Sequence, residues 1–251
     1  MFVTKGEGMK NSIPADFKTL WRLARGAPGG NNHAERLERF YRPQAESYDA
    51  FRERMLHGRS ELIELLAPQD GALIVELGAG TGNNARHFGA DLARFEAVEL
   101  IDLCPSLLGQ ARRRWAHEPR IRVIEADATH YRPPRPADCV YMSYSLTMMQ
   151  EWRPALDNAV AMLKPGGILG VVDFELPRGN CLADRCSCEF WKRWFAHDGV
   201  YLDREHVEVM QSITETITLR ESNAALPYLP GLRVPYYIYL GRKPLQAGTL
   251  Q

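Results

Sequence analysis

"VELGAGTGNNARHF", residues 75–88, sets three glycines, Gly78, Gly80 and Gly82, between a short apolar run and a segment with helical spacing. A loop running from a strand into a helix leaves the first backbone N–H groups of the helix without partners, and glycines let a ligand approach that backbone without meeting a Cβ. The stretch therefore predicts a strand at 72–77, a ligand-holding loop and a helix at 83–91.

Outward from this loop, strands and helices alternate. "FEAVELID" (95–102) precedes a helix at 105–116, "IRVIEAD" spans 121–127, "ADCVYMSYS" (137–145) precedes a helix at 152–163, and "GILGVVDF" spans 167–174. Strands separated by helices require right-handed crossovers, hence a parallel sheet covered on both faces. Residues 185–212 read as helical. "TETITLRES" and "VPYYIYLGR" follow as two β-runs with no helix between them, which predicts an antiparallel pair closing one edge of the sheet. Before the loop, "AERLERFYRPQAESYDAFRERMLHGRSELIELLAP" has helical periodicity broken at Pro43 and stopped at Pro68, so two or three helices lead in.

The chain has 251 residues, 45% hydrophobic and 25% charged, a composition that supports one core. We expect an N-terminal extension over 1–39, one domain over 40–243 and a tail over 244–251. The 31 basic residues match the 31 acidic ones, so no global field recruits nucleic acid, and no nucleic-acid partner is expected. No stretch approaches the roughly 20 apolar residues of a membrane span, and the first residues lack the apolar block of a signal peptide. A cytoplasmic location is the expectation. Three of the five cysteines, Cys181, Cys186 and Cys188, lack the paired spacing of a zinc site, and His57, His87, His117, His130, His197 and His206 form no ligand set; no metal is expected.

The loop is specific about its ligand. A dinucleotide fold wants G-x-G-x-x-G, but Asn83 stands at the third glycine position, and the acidic Glu76 precedes the loop. A carboxylate there opposes a pyrophosphate and suits a ligand with a positive ammonium group, which S-adenosylmethionine has. Asp102, at the end of the second predicted strand, can accept both hydroxyl hydrogens of a ribose; Glu99 is the rival, and strand alternation with the helix at Pro105 favours Asp102. Asp127 closes the third strand, where it can accept from an adenine amino group.

These residues resemble the class I S-adenosylmethionine-dependent methyltransferases. "VELGAGTG" is similar to their glycine motif, "VELIDLCPSLLGQARRR" to their ribose-binding segment, "IEADA" to their adenine segment and "LKPGGIL" to the turn before strand five. The resemblance implies an α/β, Rossmann-like fold: a seven-stranded, mostly parallel sheet with an antiparallel C-terminal strand, plus N-terminal helices. The flanks "FYRPQAESYDAFRERMLHGR", "YMSYSLTMMQEWRPAL", "FWKRWFAHDGVYLDREHVE" and "LPYLPGLRVPYYIYLGRK" resemble the diacylglycerylhomoserine N-methyltransferases of betaine-lipid synthesis, which place three methyl groups on the homoserine amine.

From the resemblance, S-adenosyl-L-methionine is held by Glu76, Gly78, Ala79, Gly80, Thr81, Gly82, Asp102, Leu103, Asp127 and Ala128, with Ser143 near the transferred methyl and Tyr48 and Arg59 capping the cofactor. It also implies a lipid substrate at a membrane surface, peripheral attachment to the inner face, and the enzyme that makes diacylglycerylhomoserine as a partner. Methyl transfer to an amine is an in-line displacement that needs alignment and exclusion of water, with no nucleophilic side chain. Aromatic faces can hold the growing ammonium charge at about 0.5–2 kcal/mol each. Tyr141, Tyr144, Tyr236 and Tyr237 are candidates, with Tyr144 the best placed, so Tyr144 and Ser143 are the residues expected at the reacting atoms. Arg153 or Arg233 can meet the substrate carboxylate. In "CEFWKRWFAH", Phe190, Trp191, Trp194 and Phe195 share one helical face beside Lys192 and Arg193, as in an interfacial helix.

Overall fold

The computed structural model describes residues 55–175, 205–225 and 233–245. Its elements are α1 (Arg59–Leu66), β1 (Leu73–Leu77), a 3₁₀ segment (Asn84–Arg94), β2 (Ala97–Asp102), α2 (Pro105–Arg114), β3 (Ile121–Glu125) and β4 (Ala137–Ser143). A short 3₁₀ turn (Leu146–Met148), α3 (Trp152–Met162), β5 (Leu163–Phe174), α4 (Glu205–Ile213), β6 (Glu215–Ala225) and β7 (Arg233–Arg242) follow.

The strands form one seven-stranded sheet in the order β3-β2-β1-β4-β5-β7-β6. β1 to β5 are parallel, β7 runs antiparallel to β5, and β6 runs antiparallel to β7. The expected architecture, including the antiparallel pair at one edge, is the one observed. Strand order reverses between β1 and β4, the place where open α/β sheets bind ligands at their carboxyl ends.

Burial follows position in the sheet. All five residues of β1 are buried and so are the first five of β2, because helices cover both faces of these central strands. β3 and β6, at the two edges, are largely exposed. One face of the sheet packs Leu62, Leu66, Phe88, Tyr141 and Ile238 together, and the other packs Leu77, Met142, Leu156, Met210 and Tyr239. α1 lies close on β5 because Gly170 has no side chain; a Cβ there would stand 2.7 Å from Leu66 Cδ2.

The expected α-helix at 83–91 is corrected. The segment is 3₁₀ over Asn84–Arg94 and is interrupted at Gly89, whose φ of 55° and ψ of −130° are not helical. Three or four residues are the usual limit of a 3₁₀ run, and a glycine at positive φ breaks this one into two short pieces. Of the expected lead-in helices, α1 lies in the described part, and residues 40–54 lie outside it. Of the expected helix 185–212, the structure shows α4. The cysteine cluster and the aromatic segment 188–196 fall outside the described residues. No helix among the described residues is long and apolar enough to cross a membrane.

Candidate functional site

The glycine loop is held from three sides. The backbone N–H groups of Gly78 and Ala79 donate to Ile101 O at 2.8 and 2.9 Å, which ties the loop to the end of β2. Asp102 Oδ2 accepts from Gly80 N at 2.7 Å and Oδ1 from Cys104 N at 2.9 Å, so one carboxylate fixes both the loop and the entry to α2. From the far end of α2, Arg114 donates to Thr81 O, and Trp115 Nε1 donates to Gly82 O at 2.9 Å. Gly78 has a φ of 75°, and a Cβ on it would meet Ser145 Cβ at 2.4 Å. Both facts require glycine there. Ser145 is itself fixed by donating to Leu77 O at 2.7 Å.

Beneath the loop runs a buried polar chain. Glu76 is fully buried, and its Oε1 accepts from Asn84 Nδ2 at 2.6 Å while Oε2 accepts from Tyr141 OH at 2.8 Å. Asn84 Oδ1 in turn accepts from Arg59 Nη1 at 3.2 Å, and Arg59 Nε donates to Leu56 O at 3.1 Å. Burial, then the charge of Glu76, pushes the Tyr141 phenol well above its ordinary range, so it stays a neutral donor. Arg59 therefore meets the loop through Asn84 from the α1 side. Tyr48 lies outside the described residues.

Glu99 is 1% exposed, and its two oxygens are taken by Arg122 Nη1 at 3.1 Å and Tyr131 OH at 2.7 Å, whereas Asp102 is half-buried at the strand end. At the end of β3, Asp127 Oδ1 accepts from Thr129 N at 2.8 Å and Thr129 Oγ1 at 2.7 Å. The loop that follows is pinned by Asn158 of α3, which donates to Ala128 O at 2.7 Å and Tyr131 O at 3.0 Å. Leu103, Asp127 and Ala128 are half-buried along the same sheet edge. Glu76, the three glycines with Ala79 and Thr81, Asp102, Leu103, Asp127 and Ala128 thus gather at the carboxyl ends of β1, β2 and β3.

The other side of the switch point holds the remaining candidates. Ser143 ends β4, is 1% exposed, and its hydroxyl has no hydrogen-bond partner among the described residues. Tyr144 follows with a φ of 53°, a conformation that costs a bulky residue about 1–3 kcal/mol. Its hydroxyl donates to His57 O at 2.8 Å, and its ring meets Phe174 edge-on at 4.6 Å. Asp173, at the end of β5, is fully buried and accepts from Thr147 N at 3.1 Å and Thr147 Oγ1 at 2.7 Å. Burial outweighs these hydrogen bonds and pushes its carboxyl up to about 6.

Several expectations need correction here. Tyr141 offers no aromatic face to a ligand, because it is fully buried, packs edge-on to Phe88 at 6.1 Å and spends its hydroxyl on Glu76. Tyr144 is 4% exposed and anchored through its hydroxyl, so it works as a tether between β4 and the segment before α1. Arg153 pairs with Glu205 and lies 4.7 Å over the Trp152 ring, on the surface between α3 and α4. Arg233 is exposed at the start of β7. His206 is buried edge-on against Trp152 at 4.5 Å instead of standing on the surface. Asn84 and Asn158 are the residues that sequence reasoning passed over. Asparagine just past a glycine loop was a visible signal for Asn84, but nothing in the sequence marked Asn158.

Comparison with known proteins agrees with this geometry. Residues 74–167 match a methyltransferase domain family model. The chain is 34% identical over 113 residues to the demethylmenaquinone methyltransferase of Clavibacter sepedonicus, covering 45% of each protein. It is 26% identical over 159 residues to the ubiquinone/menaquinone biosynthesis C-methyltransferase UbiE of Pseudomonas aeruginosa, covering 60% of this chain and 62% of that one. The chain thus spans about half to three fifths of the length of these relatives. Among solved structures, phosphoethanolamine N-methyltransferase 2 of Haemonchus contortus with S-adenosyl-L-methionine superposes at a TM-score of 0.67 with 16% identity, covering 86% of this chain and 61% of that one.

The fold is that of the class I methyltransferases. Residues 74–167 match a methyltransferase domain model, and the Haemonchus contortus enzyme that shares this fold holds S-adenosyl-L-methionine.

Proposed function

We propose that the protein transfers methyl groups from S-adenosylmethionine to the amine of diacylglycerylhomoserine, in three rounds, giving diacylglyceryl-N,N,N-trimethylhomoserine. The observation that carries the acceptor is a juxtaposition. "YMSYS" (141–145) and "VPYYIYLGR" (234–242), two of the segments that resemble the betaine-lipid enzymes, lie far apart in sequence. In the fold they end on β4 and β7, either side of β5, and with Phe174 they bring Tyr144, Tyr236 and Tyr237 to one end of the sheet.

S-adenosylmethionine supplies a methyl group made electrophilic by a sulfonium centre. The residues present fit it: Asp102 ends β2, Asp127 lies just past β3, and the Ser143 hydroxyl, without a partner among the described residues, sits one strand from the loop. Asp102 would hold the ribose, Asp127 the adenine and the loop N–H groups the amino-acid end. Glu76, fixed by Asn84 and Tyr141, sets a negative field under that end. The acceptor amine must be neutral to attack, and a water-poor site next to a positive charge lowers its pKa from a free value near ~8. The acyl chains of such a substrate require work at a membrane surface, and we assign that contact to "CEFWKRWFAH". Replacing Trp191 and Trp194 by Ala is expected to cut liposome binding more than cofactor affinity.

The second reading is a quinone-like carbon acceptor, favoured by the relatives named above. One assay separates the two. Purified protein is given labelled S-adenosylmethionine with diacylglycerylhomoserine, phosphatidylethanolamine, free homoserine or a demethylated quinol. Label reaching three methyls on diacylglycerylhomoserine alone is the expected result; label on the quinol or on phosphatidylethanolamine overturns the proposal.

A further inference from the structure

β5 and β7 pair antiparallel with Asp173 opposite Tyr237 and Phe174 opposite Tyr236. Side chains alternate along a strand, so Asp173 and Tyr237 project from the same face of the sheet as direct cross-strand neighbours, about 5 Å apart at Cβ. The pairing continues one residue further, where Glu175 N donates to Pro235 O at 2.9 Å. Glu175 therefore returns to the face of Asp173, diagonal to Tyr237.

Tyr237 is 1% exposed, and its hydroxyl has no hydrogen-bond partner among the described residues. Burial first, then the charges of Asp173, Glu175 and Tyr144, holds this phenol well above its ordinary range. A buried hydroxyl left unsatisfied costs about 1–3 kcal/mol, and phenylalanine would fill the same space without that cost. Tyr237 pairs with Asp173 near the carboxyl end of β5, the edge of an open α/β sheet where ligands gather. Asp173 cannot be the contact itself, because its oxygens are occupied by Thr147 N, Thr147 Oγ1 and Phe174 N, the last at 2.8 Å. It supplies charge, and Tyr237 supplies the open oxygen. Two carboxylates on the same face disfavour an anion at that oxygen and favour a group that brings N–H bonds with positive or partly positive character.

We propose that the Tyr237 hydroxyl accepts a hydrogen bond from an N–H of the acceptor amine, making the β5–β7 end a subsite for amines that still carry hydrogen. This rests on the N-methyltransferase reading above and sharpens it. A neutral unmethylated or singly methylated nitrogen satisfies the hydroxyl, and a doubly methylated one does so only as its protonated ammonium, whose proton leaves before the third transfer. A trimethylated nitrogen has no N–H and leaves it unpartnered again. The subsite thereby separates substrates and intermediates from the finished product.

The test is Tyr237→Phe, which removes only the oxygen. Binding of dodecylamine and of dodecyltrimethylammonium to the protein loaded with S-adenosylhomocysteine is measured for wild type and variant, together with S-adenosylhomocysteine affinity and Tm. The expected result is a roughly tenfold loss of dodecylamine affinity in the variant. Dodecyltrimethylammonium and S-adenosylhomocysteine affinities stay unchanged, and Tm is equal or higher. Equal binding of dodecylamine by the two proteins, a matching loss for both ligands, or no binding of dodecylamine by wild type overturns the proposal. These measurements need no turnover, so they stand apart from the labelling assay, whose failure with diacylglycerylhomoserine would refute the acceptor assignment alone.

Discussion

On the β1–β3 side of the switch point the polar groups of the site are bound within the chain, Asn158 Oδ1 excepted, whereas on the β4–β7 side Ser143 and Tyr237 hold buried hydroxyls without partners among the described residues. The backbone is relaxed around the first set, apart from glycines in conformations open to them; at the second, Tyr144 is held at positive φ. The contrast teaches how the work is divided. On the function proposed above, the donor half is preassembled by its own hydrogen bonds, and the acceptor half keeps hydrogen-bonding capacity in reserve for a ligand.

Breaking the donor half at its most connected point should have the largest effect. Asp102→Ala removes the clamp on Gly80 and Cys104 together with the ribose acceptor. Charged hydrogen bonds contribute about 1.5–3 kcal/mol each, so S-adenosylhomocysteine affinity is expected to fall about a thousandfold, roughly 4 kcal/mol, in calorimetry. An effect below tenfold would show that Asp102 does not meet the cofactor.

The acceptor half should reveal itself by pH. The Asp173 carboxyl is raised from 3.8 to about 6 in the folded protein. Its folded state therefore favours the neutral acid: the contribution is full below pH ~4 and is lost as pH rises through ~6, about 3 kcal/mol in all. Chemical denaturation of wild type and Asp173→Asn across pH 4–7 is expected to show wild type losing that stability relative to the variant as pH rises. A flat difference would contradict the assignment.

Smaller effects belong to the buried chain under the loop. Asn84→Leu strips a donor from Glu76 and an acceptor from Arg59, and is expected to cost about 2 kcal/mol in denaturant unfolding with weaker cofactor binding. Tyr141→Phe removes one donor from the same carboxylate and is expected to cost about 1 kcal/mol. If Tyr141→Phe proved as damaging as Asn84→Leu, the carboxylate would be held chiefly from β4.

The same division explains what was legible in the sequence. The glycines, Glu76, Asp102 and Asp127 are local signals, since each sits at a strand end whose apolar run can be read directly. The parallel sheet followed from the alternation of strands and helices, and the antiparallel edge from two β-runs without a helix between them. Asn84 stood in view just past the glycines, but its role was hidden because its partners, Arg59 and Glu76, lie 25 and 8 residues away and resemble ordinary helix and strand residues. Asn158 was hidden for the same reason, 30 residues from Ala128. Gly89 was visible in the segment after the loop, yet periodicity outweighed it, and the segment became broken 3₁₀ instead of α-helix. Tyr141 and Tyr144 read alike as strand-end aromatics; only the register of β1 against β4, which puts Tyr141 beside Glu76, shows that Tyr141 faces inward.

β7, among the last elements in the chain, is inserted between β5 and β6. As a nascent chain emerges from its N-terminus, β1 to β5 can pair first, and β5 then presents a long, mostly buried-type strand with an open edge. Such an edge is a template for intermolecular pairing until the β6–β7 hairpin docks. Ribosomal pauses or truncations before Arg233 should therefore favour aggregation through β5, and C-terminal tags that slow the docking of that hairpin should lower the soluble yield.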